Sequence, residues 1–328
     1  MILFIAPREH IAAANSRIGS EADAGKASSR IRSTMQNKAD TSSSQGLIDR
    51  AGPGVVEQPA VSARQLTKDY GQGSNAVHAL RGIDVNFERG RFTAIMGPSG
   101  SGKSTLMHVL AGLDTVTSGH VYMAADLLHS KSGDRHHPSI DQAGRVDLTR
   151  MDDRQLTLIR RRHLGFIFQS FNLLPMFTAK QNILMPLVLD DVRPDTSWME
   201  KLVETLGLSE RLDHRPSELS GGQQQRVAIA RALITKPSIV FADEPTGNLD
   251  TASSTEVLSF LRDSVREMGQ TVIMVTHDAY AASYADRALV FADGRIVADR
   301  QNPTVKAMND LLAEQVSAGT AGDSQVQD

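Results

Sequence analysis

Residues Gly97-Pro98-Ser99-Gly100-Ser101-Gly102-Lys103-Ser104-Thr105 fit the spacing G-x-x-x-x-G-K-[ST], the signature of a phosphate-binding loop. Its glycines let the backbone wrap a phosphate chain at close range. Successive N–H groups and the start of the following helix supply positive potential. Lys103 adds a point charge for β- and γ-phosphates, and the Ser104 hydroxyl is placed to ligate Mg²⁺. The residues before the loop, 91–96, read as a buried strand, and those after it, 106–111, read as a helix. The strand–loop–helix context that the motif needs is therefore present, which argues against a chance glycine-rich turn.

Other residues of the right type close apolar strands. The run 238–242 ends in Asp243 and Glu244. Asp243 suits a Mg²⁺ shell, and Glu244 puts a second carboxylate where a water can be polarised. Thr271–Thr276 ends at His277, and Leu164–Phe168 ends at Gln169. Strand C-termini are where ligands gather in α/β folds. A lone His is usually structural; at the end of a strand flanking the acidic one, the other reading is that His277 touches a γ-phosphate. Ser220 precedes Gly221 and Gly222 at the start of a strong helix, 224–235. This is a second helix start shaped for an anion, with Ser220 as N-cap. Two such sites far apart in one chain make sense if one serves a neighbouring copy. Tyr70 closes an early strand, where its ring either caps an apolar edge or stacks on a base.

The elements that must position these groups alternate between strand and helix, which is an α/β pattern. Residues 63–70 and 76–87 read as strands joined by the turn 71–75, and 118–123 as a turn and strand. Residues 152–162 look helical, with the basic end Arg160-Arg161-Arg162 favoured by the helix dipole. Between 170 and 218 the chain is apolar and punctuated by Pro175 and Pro186, with short helices expected at 198–208 and 212–219, an inserted helical subdomain. Helix 251–268 and a hairpin across 288–297 complete the unit. Residues 1–60 read as a disordered extension rich in Ser, Ala, Gly and Gln; an alternative is that translation starts at Met35. The stretch 128–148 carries His129, His136 and His137, whose spacing fits no standard metal site. After 301 comes a tail with one amphipathic segment, 305–316.

Composition bounds the answer further. The chain has 328 residues, a net charge of −3 and no cysteine. Disulfides and cysteine metal sites are excluded, and no basic surplus points to nucleic acid. No apolar run reaches the ~20 residues a membrane span needs. The expected location is cytosolic, so any membrane role requires a separate partner.

Taken together, these residues resemble the nucleotide-binding subunit of an ABC transporter over about 61–300. The phosphate loop, the glutamine Gln169, the signature Leu219-Ser220-Gly221-Gly222-Gln223, the acidic strand with Glu244, the loop Gly247-Asn248-Leu249-Asp250 and the switch histidine His277 occur in that family's order. The segment 164–175, with Gly247-Asn248-Leu249-Asp250, is similar to the lipoprotein-release and macrolide-export subgroup, with cell-division ATPases as close relatives. The resemblance implies a P-loop NTPase (RecA-like) core with an antiparallel β subdomain and an inserted α-helical subdomain. It also implies that ATP and Mg²⁺ bind between two copies packed head to tail. One copy offers Tyr70 to the adenine and Gly97, Ser99, Gly100, Ser101, Gly102, Lys103, Ser104 and Thr105 to the phosphates. The other offers Ser220 and Gly222. Ser104, Gln169 and Asp243 complete the Mg²⁺ shell, Glu244 acts as general base, His277 holds the γ-phosphate, and Asp250 couples the two sites. A membrane permease docks on the helical subdomain, placing the subunit peripherally on the cytoplasmic face of the membrane. The segment 128–148 and the N-terminal extension are longer than the family pattern.

Two other classes compete. An ABC ATPase acting on nucleic acid or ribosomes usually carries two cassettes or a coiled-coil insertion, and neither occurs here. A cell-division or signalling ATPase that moves a membrane partner without cargo is poorly separated from a transporter by sequence.

Overall fold

The computed structural model describes residues 58–71, 73–128 and 139–323. The expected disordered extension lies almost wholly outside these residues, as do His129, His136 and His137. The strands are β1 (Val61–Tyr70), β2 (Val77–Phe87), β3 (Phe92–Met96), β4 (Ser118–Ala124), β5 (Arg145–Asp147), β6 (Leu164–Phe168), β7 (Ile239–Asp243), β8 (Thr271–Thr276), β9 (Arg287–Ala292) and β10 (Arg295–Gln301). The helices are α1 (Lys103–Leu110), α2 (Asp153–His163), α3 (Ala179–Leu189), α4 (Thr196–Thr205), α5 (Gly221–Leu233), α6 (Thr251–Met268), α7 (Ala279–Ala282) and α8 (Val305–Asp323).

A six-stranded sheet runs in the order β10-β9-β3-β8-β7-β6. All its pairings are parallel except β9 with β10, the expected hairpin. Continuous apolar runs such as Ile239–Ala242 mark strands buried on both faces. Successive side chains divide accordingly. Val240, Ala242, Val272 and Met274 enter one core, with α5 and α6 residues. Ile239, Phe241, Ile273 and Val275 enter the other, with Leu106 and Leu110 of α1. That second core is closed by an antiparallel sheet in the order β2-β1-β4-β5. The sheets thus sandwich α1 and the loop before it. β3, β7 and β8 lie side by side with their C-terminal ends on one edge, so the phosphate loop, Asp243 and His277 emerge together.

Several elements depart from expectation. Helix α5 begins at Gly221, because Ser220 and Gln223 form a reciprocal capping box that satisfies the first-turn donors. Residues 212–219 form no α-helix; only the turn Pro216–Glu218 is helical, of the 3₁₀ type. Pro186 does not break the chain but sits inside α3. The hydrogen bond it forfeits is offset by burial of Ile183, Leu184, Met185 and Leu187. Within 128–148, Arg145–Asp147 pairs with β4 as a fourth strand. Among the described residues, no helix is long and apolar enough to cross a membrane.

Candidate nucleotide site

The phosphate loop leaves β3 at Gly97 and re-enters helix at Lys103. Gly102 caps α1 at φ +103°, and a Cβ there would lie 2.3 Å from the Ala79 carbonyl oxygen. No other residue fits, because both the backbone angle and the space exclude a side chain. Gly97 is equally crowded, 2.1 Å from the Phe291 carbonyl oxygen by the same measure. Ser99 and Gly100 are exposed at the loop's rim, while Ser101 and Lys103 are buried. The Lys103 ammonium donates to the carbonyls of Gly97 at 2.9 Å and Pro98 at 2.7 Å, curling back over the loop. Burial pulls its pKa down, against the opposing fields of Glu244 and Asp243. Among the described residues, the buried Ser101 hydroxyl has no hydrogen-bond partner.

Two strand ends meet this loop. The Ser104 hydroxyl donates to Asp243 Oδ1 at 3.2 Å. Both are hard oxygen donors of the kind Mg²⁺ takes, usually with waters and phosphate oxygens completing its shell. Among the described residues no cluster of three His, Asp or Glu converges as a metal cage. Glu244 follows at φ +48°, held there by donation of its N–H to the Val275 carbonyl at 2.9 Å. Such a backbone is uncommon for a non-glycine residue and turns the carboxylate away from the strand line. His277 Nδ1 lies 2.8 Å from Glu244 Oε1, and the Thr276 hydroxyl donates to Oε2 at 3.4 Å. A carboxylate beside an imidazole on a strand rim can take a proton from a water and orient a neighbouring donor.

A cavity of about 590 Å³ opens beside the loop, lined among others by Tyr70, His78, Lys103, Ser104, Thr105 and Gly294. Tyr70 is 41 % exposed there. Ser220, Gly222 and Asp250 do not line it. They form a separate cluster where α5 and α6 begin. Asp250 caps α6, accepting from the Ser253 N–H at 3.0 Å and the Ser253 hydroxyl at 2.7 Å. Gly222 packs against that serine so closely that a Cβ would stand 2.6 Å from its Oγ. Gln169 stands between the two regions: its carbonyl accepts from Asn248 at 2.9 Å, and its amide packs on Gly247.

Sequence reasoning passed over Arg231, Asp114 and Lys68. Arg231 is buried on α5 and donates to the carbonyls of Asn172 and Phe171, just beyond Gln169. A charged residue four positions after the buried Val227, on a helix face that is otherwise apolar, was the available signal. Asp114 accepts from both Tyr70 and Lys68. A second groove of about 630 Å³, mostly apolar, runs beside α2 and α3, lined among others by Leu113, Arg160, Phe166, Met185 and Arg231.

Comparison with known proteins identifies the family and the fold. The family model described as ABC transporter matches residues 80–247. The chain is 43 % identical over 244 residues to the macrolide export ATP-binding/permease protein MacB of Marinobacter nauticus, covering 74 % of this chain and 35 % of that protein. It thus spans about a third of the length of that relative. It is also 43 % identical over 241 residues to the uncharacterized ABC transporter ATP-binding protein MJ1508 of Methanocaldococcus jannaschii, covering 72 % of this chain and 97 % of that one. Among solved structures, the dimeric post-hydrolysis state of the ATP-binding cassette MJ0796 bound to ADP and Pi aligns at a TM-score of 0.62 and 36 % identity, over 74 % of this chain and 98 % of that one. The chain belongs to the ABC transporter family and carries that family's ATPase cassette, built on the P-loop NTPase fold.

Proposed function

We propose that the chain binds ATP between two copies of itself and hydrolyses it to drive a separate membrane permease. The observation that carries this reading is the meeting of the Ser104 hydroxyl with Asp243 at 3.2 Å, one residue before a carboxylate that His277 touches at 2.8 Å. In this reading Lys103 releases the Gly97 and Pro98 carbonyls and turns to the β- and γ-phosphates. The loop N–H groups and Thr105 cradle the phosphate chain, and Tyr70 stacks on the adenine. Ser104, Asp243 and Gln169 would hold Mg²⁺, which when bound neutralises developing charge on the phosphoryl oxygens. Glu244 accepts the proton of the attacking water as its oxygen bonds to the terminal phosphorus and the bond to ADP breaks. His277 donates to the γ-phosphate. Ser220 and Gly222 of the second copy close the site from the other side, which fits their absence from the cavity of their own chain. Asp250 links the two sites through the helix start that it caps.

The cassette spans about 61–300, with the helical subdomain at 170–218. The apolar groove beside α2 and α3 is the seat for the permease, which would hold the chain on the cytoplasmic face of the membrane. Likeness to macrolide-export relatives favours an exporter of peptide, lipoprotein or drug-like cargo. Copurification from detergent extract tests the assembly. Recovery of a permease together with Mg²⁺-dependent ATP hydrolysis supports it, and a purified chain that neither hydrolyses ATP nor pairs on binding it overturns it.

A further inference from the structure

Tyr70 is held chiefly by Asp114 and Lys68, which lie outside the phosphate loop, while Thr105 of the loop also bonds its hydroxyl. Its hydroxyl donates to Asp114 Oδ2 at 2.6 Å. The other oxygen of that carboxylate accepts from Lys68 at 2.7 Å. The same ammonium donates to the Thr115 carbonyl at 2.7 Å and lies 4.8 Å from the centre of the Tyr70 ring. Lys68 is buried, 7 % exposed, although it carries a charge. Burying an ammonium is costly unless it is paired and hydrogen-bonded. Here the pairing with Asp114 and Thr115 meets that condition, and it places the cation against the tyrosine ring. Burial and then the bond to Asp114 push the Tyr70 hydroxyl's pKa up, against an opposing bond from Thr105. The carboxylate of Asp114 is held low by Lys68 and Tyr70 in spite of partial burial. The contacts are long-range, 46 residues apart for Lys68 and 44 for Tyr70. They tie strand β1 to the turn that follows α1.

We propose that Asp114, with Lys68, is a positioning pair for base recognition: it fixes the Tyr70 ring so that the ring presents itself to the nucleotide base. This rests on the reading of Tyr70 as the base-stacking residue. A ring pinned at its hydroxyl pays little ordering entropy when a base arrives, because its rotamer is already chosen. A free tyrosine, half exposed on a strand end, would have to be ordered by the base itself. Asp114 and Thr115 also line the apolar groove beside α2, so the clamp on the base platform borders the surface proposed for the permease.

The test is calorimetric titration of the purified full chain with ATP and, separately, with inorganic tripolyphosphate, both with Mg²⁺. Tripolyphosphate has no base, so it reports the phosphate loop alone. Stacking of a base on an aromatic ring contributes enough that loss of its preorganisation reads as about a tenfold weaker Kd for ATP in Asp114→Ala. The Kd for tripolyphosphate is expected to move by less than about twofold. Tyr70→Phe keeps the ring and removes the anchor, so it is expected to lose ATP affinity in the same way. Adding Asp114→Ala to it is expected to cost little more, because both changes remove one interaction. Tyr70→Ala separates the two ideas. If Tyr70→Ala weakens ATP selectively while Asp114→Ala and Tyr70→Phe do not, the positioning pair is wrong and the stacking reading stands. If Tyr70→Ala has no selective effect, the stacking reading fails and the proposal falls with it. Equal losses for ATP and tripolyphosphate in Asp114→Ala also overturn it, since they indicate a general disturbance of the loop. Should Asp114→Ala fail to fold, Tyr70→Phe carries the same comparison.

Discussion

The Arg231 guanidinium donates to the carbonyl oxygen of Asn172 at 2.6 Å, and its other amino group reaches the Phe171 carbonyl at 2.8 Å. Both loop residues have left-handed backbones, at φ +51° and +58°. Burial pulls the arginine's pKa down to about 10, which still leaves it charged at neutral pH. A helix that opens at Ser220 therefore grips the segment that follows Gln169. Arg231→Met strands both carbonyls without a donor and is expected to cost about 2–4 kcal/mol of stability. Arg231→Lys should recover only part, for want of the planar fork. Denaturant unfolding of the three proteins checks the order.

Glu244→Gln keeps the shape of the strand end and removes the proposed base. The expected loss in the steady-state rate of phosphate release is about 10²–10⁴-fold, while ATP still binds. Size-exclusion chromatography with ATP should show more dimer than for the parent chain. Parent-like turnover would contradict the role given to this carboxylate.

Ser104→Ala takes one oxygen from the pair that spans the loop and β7. The Mg²⁺ concentration for half-maximal hydrolysis should rise by about tenfold. Chelation of Mg²⁺ should stop turnover in both proteins and be reversed by adding the ion back.

Gly222→Ala should push the Ser253 hydroxyl off Asp250, since the new Cβ would sit 2.6 Å from it. Loss of that helix-cap bond is expected to cost about 1 kcal/mol. In a Ser253→Gly background the same change should cost less. Thermal melts of the four-member cycle give the coupling.

Asp195 caps α4, accepting from the Trp198 N–H at 3.1 Å. Lys236 and that cap lower its pKa to about 2. A depressed carboxylate stabilises the fold fully above its unfolded pKa, near 3.8, and the contribution is lost as pH falls toward 2. Carboxyl NMR titration should show this, and Lys236→Met should move the midpoint back toward 3.8.

The bounds of α6 and β8 coincide with the sequence expectation because their signals are local. Asp250 caps the helix, Gly269 ends it at φ +65°, and an unbroken apolar run makes the strand. The convergence of Ser104 with Asp243, 139 residues away, was implied by motif order and is realised by parallel strands ending on one edge. What escaped reading depends on distant partners. β5 is three residues long and exists through its register with β4. Pro186 punctuates the apolar stretch, yet burial on both sides of it keeps α3 intact. The clamp of Lys68 and Asp114 on Tyr70 joins residues that no local pattern pairs.

β5 has a consequence for solubility. Without it, the seven-residue β4 would be the last strand of its sheet. A rim of that length, with open amides and carbonyls, invites pairing with another molecule. β5 covers that rim with only three residues, its own outer side is met by Ile140 and Asp141, and the Arg145–Asp141 ion pair sits at its start. β5, itself bridged by Ile140 at Val146, thus leaves little of the β4 rim open to a second chain, on the edge opposite the β2 strand.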